Sequence, residues 1–111
     1  MTPNKAIEIV DRLKPNSYSE EDKLRWINEL EGMAQRLVVQ SDDIIQYAYP
    51  EDMNKELMIP APYDDVYTLF LDAKIDYHNK EYGNYNNSAM MFEAQYNEYK
   101  KDYIRKNRAK G

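Results

Sequence analysis

Between residues 85 and 103 the apolar positions follow a strict rhythm. Tyr85, Ala89, Phe92, Tyr96, Tyr99 and Tyr103 are spaced four, three, four, three and four. Only a helix puts residues at those steps on one face, so this stretch must be helical and must have a partner. Aromatic rings fill the seam where leucine is usual. It reads as the core of a helix pair, with a last helix over about 85–106.

Three further helices are predicted upstream. Thr2-Pro3 is an N-cap followed by proline at the first helical position, and Ala6, Ile9, Val10 and Leu13 recur behind it, giving a helix over about 3–13. Lys14-Pro15 ends it. Ser19-Glu20-Glu21-Asp22 is a capping box with Asp for the usual Glu or Gln. Leu24, Ile27, Leu30, Ala34 and Leu37 form the stripe of a helix over about 20–39, widened by Trp26 and Met33. Gly32 inside that stripe suggests a close helix contact. A third helix over about 64–82 starts at Tyr63-Asp64-Asp65. One face carries Val66, Phe70, Ala73 and Tyr77, flanked by Tyr67 and Leu69, and Gly83 is placed to end it in the left-handed conformation. Asn84, Asn86 and Asn87 then read as a capped turn into the last helix. A short link makes helices three and four an antiparallel hairpin.

The predicted fold is therefore all-α: one small helical bundle over 1–111, with a C-terminal antiparallel helical hairpin. Residues 40–62 interrupt it as an irregular, proline-flanked segment, a projecting loop or arm or a loose hairpin. Residues 104–111 form a basic tail.

Composition narrows the function. There is no Cys, which excludes disulfides, thiolate metal sites and Cys nucleophiles. No apolar run approaches a membrane span and the first residues do not read as a leader, so a cytoplasmic protein is expected. The net charge of −5 is unevenly placed. Residues 100–111 hold six cations against Asp102, a net +5, which leaves −10 on residues 1–99. An acidic body argues against sequence-specific nucleic-acid binding.

No catalytic, cofactor or metal site is expected. His78 is the only histidine, has no motif-placed nucleophile beside it and reads as a surface or helix-end residue. Asp72 and Asp76 share a helix face and read as solvated carboxylates. Residues 76–87 are rich in oxygen ligands but misplace the glycine and the last Glu of a calcium loop. What composition leaves in excess is tyrosine, 11 residues with a large body and one polar handle, which suits interfaces. The expected interface comprises Tyr47, Tyr49, Ile59, Pro60, Pro62 and Tyr63 around the prolines, and Lys100, Arg105 and Arg108 at the basic end.

Several stretches also resemble a known group: Ile59-Pro60-Ala61-Pro62-Tyr63-Asp64, Ala73-Lys74-Ile75-Asp76-Tyr77, Asn79, Glu81-Tyr82, Tyr85-Asn86-Asn87-Ser88 and Met91-Phe92. They resemble small head–tail connector, adaptor or neck-like proteins of phages and prophages of Gram-positive bacteria. The resemblance is strongest over about 57–103, and the first two helices match in order and size only. That group often carries Gly where Lys80 stands here. The resemblance implies a non-enzymatic virion assembly protein at the neck, without cofactor. Its partners would be portal and tail or neck proteins, and its copies would close into a homo-oligomeric ring. The alternative is a small helical regulatory module that binds a host or phage protein through its tyrosine face.

Overall fold

The computed structural model describes residues 1–108, and of Arg108 the backbone alone. Helices are the regular structure among the described residues: α1 Pro3–Leu13, α2 Glu20–Met33, α3 Val66–His78 and α4 Tyr82–Arg108. The all-α bundle expected from periodicity is what the chain adopts. Thr2 caps α1 by accepting from the Lys5 N–H at 3.1 Å, with Pro3 in the first turn. Ser19 caps α2 by accepting from the Asp22 N–H at 3.0 Å. Asp22 does not close the reciprocal half of the box; its carboxylate pairs with Arg25 at 3.2 Å instead.

The second helix ends differently from its predicted 20–39 span. After Met33 it widens into a π-helical turn, Ala34–Val38, closed by Val39 N–H to Ala34 O at 3.0 Å. This i→i+5 bond inserts one residue into the helical count. The inward position after Leu30 and Ala34 therefore passes from Leu37, which is 68% exposed, to Val38, which is buried. Gly32 makes no close helix contact: a Cβ there would meet Ile44 at an ordinary 3.9 Å.

α3 is the central element and packs against each of the other three helices. Its two sides are both used, which a single predicted face underestimated. Phe70 and Tyr77 look toward α4, at 5.1 Å from Phe92 and 5.4 Å from Tyr85 between ring centres. Tyr67, Leu71 and Ile75 are fully buried in the core with α1 and α2 residues. The α4 seam behaves as predicted. Tyr99 is buried, and Phe92, Tyr96 and Tyr103 are partly buried against the core. Contacts between residues 77 and 85, 70 and 92, and 63 and 99 establish the antiparallel sense of the hairpin.

The α3–α4 link lies earlier in the chain than predicted, at residues 79–81. α3 ends at His78, and the left-handed residue is Lys80, with φ 61°, not Gly83. Glu81 N–H reaches Asp76 O at 2.9 Å and Lys80 N–H reaches Tyr77 O at 3.0 Å, the double bond pattern of a Schellman motif. Gly83 and the three asparagines instead lie inside the first turns of α4. The resulting body measures 46 × 33 × 21 Å, its long axis consistent with a 27-residue helix of about 40 Å.

Candidate interaction surfaces

Residues 40–62 are irregular, as expected, but they are strapped to the bundle and do not project. Met53, Leu57 and Ile59 are buried in the core. The Asn4 N–H donates to Met53 O at 2.9 Å, and the Leu57 N–H to Met1 O at 2.8 Å. Two side-chain amides, one on α2 and one on the π-helical turn that follows it, hold the rest. Asn28 exchanges two hydrogen bonds with the Tyr47 main chain, at 2.9 and 3.0 Å. Gln35, seven residues on, does the same with Ile45 at 2.7 and 3.0 Å. Seven residues are about two helical turns, so both amides lie on one side of the helix and hold Ile45 and Tyr47, two residues apart in the strap.

Two polar clusters lie beneath this strap and beneath the hairpin. Glu31 is fully buried. Its carboxylate accepts from the hydroxyl of Tyr67, from the hydroxyl of Tyr47 at 3.1 Å and from the Met58 N–H at 3.1 Å. Tyr67 in turn accepts from the Ile59 N–H at 2.9 Å. Burial first, and the Glu31 charge second, push the hydroxyls of both tyrosines well above the ordinary tyrosine value. They stay protonated as donors. In the second cluster, Lys14 Nζ bridges Asp76 and Asp72, the latter at 2.6 Å. The Ser88 hydroxyl donates to Asp76 at 2.8 Å. Burial works against the charge on Lys14, but hydrogen bonds to the two aspartates and their charges outweigh it and raise its pKa. Asp76 is thus a fully buried junction of the α1 end, α3 and α4, not the solvated carboxylate predicted. A burial signal for Asp76 was absent from the sequence, because its partner lies 62 residues away.

The expected interface residues divide. Ile59 is a core residue and presents no surface. Tyr47 is half-buried, its hydroxyl shared between the Glu31 carboxylate and the Glu56 carbonyl, 3.1 Å from each. Tyr63 packs its ring 6.1 Å from Tyr99. Tyr49 is 41% exposed, and Pro60 and Pro62 are exposed. Lys100 is half-buried, its Nζ 5.2 Å above the Tyr96 ring. Arg105 is exposed and paired with Asp102 at 2.5 Å. The Arg108 side chain and residues 109–111 of the basic tail lie outside the described residues; residues 104–107 continue α4. His78 closes α3 as a helix-end residue, stacked on Trp26 at 5.1 Å and 10°.

One surface was missed. Phe70, Ala73, Lys74 and Tyr77 of α3 and Tyr85, Ala89, Phe92 and Glu93 of α4 line an open groove of about 470 Å³. Two alanines face each other where larger residues would meet, so the helices leave a trough walled by four rings. Lys74 is neutralised by Glu29 at 2.8 Å and lies over Phe70 at 5.4 Å. Beside the groove Tyr77 and Met90 are exposed, Met90 at 68%. The alanine-for-large exchange in an otherwise aromatic seam is the signal that marks it. No helix among the described residues is long and apolar enough to cross a membrane. Compared with protein-family models, curated proteins and solved structures, the chain matches none.

Proposed function

We propose that this chain is a non-enzymatic assembly protein of the phage or prophage neck, a head–tail connector that joins portal and tail as a ring of identical copies. The observation that supports the reading is how polar and apolar groups are distributed. The buried charged and amide side chains of the described core, and the Ser88 hydroxyl, are engaged inside the chain, the Tyr96 hydroxyl alone among buried side-chain polar atoms lacking a partner there: Lys23 by Asp11, Glu31 by two tyrosines, Gln35 by Ile45, Asp76 by Lys14, Ser88 by Asp76, and Asp102 by Arg105 and Lys106. Such groups position helices and are not poised for chemistry. Meanwhile large apolar side chains face outward, among them Leu37, Ile45, Tyr77, Met90, Met91 and Ile104. A small bundle with its buried charges paired and apolar side chains turned outward is suited to binding other proteins. The connector-like stretches of sequence supply the kind of assembly.

The test is a particle-assembly reaction with the cognate portal and tail components. Omitting the chain is expected to leave filled heads without tails, and adding it back to restore tailed particles. Tailed particles at the normal frequency without the chain would overturn the reading. Capture of a host regulator by the chain, together with that result, would favour a regulatory module.

A further inference from the structure

Both ends of one long helix carry surfaces that complement each other but cannot meet in the same molecule. Near its start, α4 forms one wall of the aromatic groove, with Ala89 as part of the floor and Glu93 on the lip. Glu93 is exposed and forms no ion pair among the described residues, and Lys74 opposite is already neutralised by Glu29. The groove therefore presents apolar walls and one unpaired negative charge. Near its end, α4 presents Ile104, 51% exposed, beside Val39 and Tyr103. Lys100, one turn earlier on the same face, has no carboxylate partner among the described residues and rests on an aromatic ring. This end presents an aliphatic knob with a positive charge next to it.

We propose that the α3–α4 groove of one copy receives the end of α4 from a second copy, with Ile104 seated against Ala73 and Ala89 and Lys100 against Glu93. Aromatic walls suit both an aliphatic side chain and the stem and head of a lysine. The second copy is required by geometry. Ala89 and Ile104 lie 15 residues apart on a continuous helix, a separation of about 22 Å. A molecule cannot fold its own helix end into its own groove. Because the two surfaces differ, the contact is head-to-tail, and repetition closes a ring or grows a filament. The inference rests on the assembly reading above and assigns its subunit contact.

Sedimentation velocity of the full chain up to about 1 mM, the weak end of specific association, tests it. The wild type is expected to grow past the dimer with concentration. Ala89→Trp, which fills the groove, and Ile104→Asp, which removes the knob, are each expected to weaken association by about tenfold or more. Mixed together they are expected to form a heterodimer that grows no further, since one intact groove meets one intact knob. Should Ala89→Trp lose its helical circular dichroism, the exposed Glu93→Lys replaces it. Glu93→Lys alone is expected to weaken association, and Glu93→Lys with Lys100→Glu in one chain to restore it. A wild type that stays monomeric throughout, a dimer insensitive to these substitutions, or a mixture without heterodimer would overturn the proposal. Head-to-tail association by a chain that proves dispensable for joining tails would leave this contact standing and remove the connector reading.

Discussion

Glu31 and Tyr96 show how differently two buried polar groups can stand in one core. The Glu31 carboxylate has three donors, and one of them, Tyr67, also accepts from the Ile59 N–H. Tyr67→Phe removes a hydrogen bond to a charged group and strands a buried amide, so it is expected to cost about 1.5–3 kcal/mol. The Tyr96 hydroxyl is buried with no hydrogen-bond partner among the described residues. Tyr96→Phe keeps the ring and removes an unsatisfied group, so it is expected to be neutral or stabilising by up to about 1 kcal/mol. Urea denaturation of the two variants separates these outcomes. Equal losses from both would mean that the Glu31 cluster does not organise the core.

Among the elements, the α3–α4 turn is the one whose local conformation disagrees with its residue. Lys80 sits at φ 61°, where an L side chain is disfavoured and glycine is not. Lys80→Gly is expected to stabilise the hairpin by about 0.5 kcal/mol, the relieved strain being partly offset by the freer unfolded chain. A lower melting temperature for this variant would contradict that account of the turn. The same turn shows what was readable beforehand. Periodicity and capping residues placed all four helices, because those signals are local and repeat along the chain. Helix ends slipped by three to four residues at the turn where the terminator was Lys80 and not a glycine, and α2 stopped at Met33 where the π turn moved the buried position from Leu37 to Val38. The strap over 40–62 and the burial of Asp76 were not legible. They depend on Asn28, Gln35 and Lys14 meeting partners distant in the chain. The seam residues that wall the groove were legible; its opening was not, since that depends on Ala73 and Ala89 facing each other across two helices.

At the scale of the whole molecule, the tyrosine-rich core makes stability sensitive to alkali. Tyr47, Tyr67 and Tyr96 are raised above the ordinary value chiefly by burial, and Tyr99 is pushed up to about 12 by burial and by its tyrosine neighbours. Unfolded tyrosines ionise near 10, so above that pH the native state binds more protons and stability falls as pH rises. Lys14, also raised, adds the same sign, its contribution being present below about 10.5 and lost as the pH climbs through its folded value. On the acid side, Asp102 is lowered by Lys106 and Asp52 by the Ala48 N–H, so their contributions fade only as pH falls below about 4. Thermal melts across pH are expected to show a plateau from about 4 to 10 and a steep alkaline loss, with several of the 11 tyrosines absorbing as phenolate only once helix is lost. Phenolate appearing near pH 10 from all of them, with the helix signal intact, would contradict the buried seam. The proposed function requires that these bundles, with apolar side chains turned outward, assemble on a larger ring. Native mass spectrometry of the chain mixed with its cognate portal tests it most directly. The predicted result is a portal ring carrying a full symmetric set of copies, with few partly loaded species. A portal that keeps its bare mass in the presence of excess folded chain would contradict it.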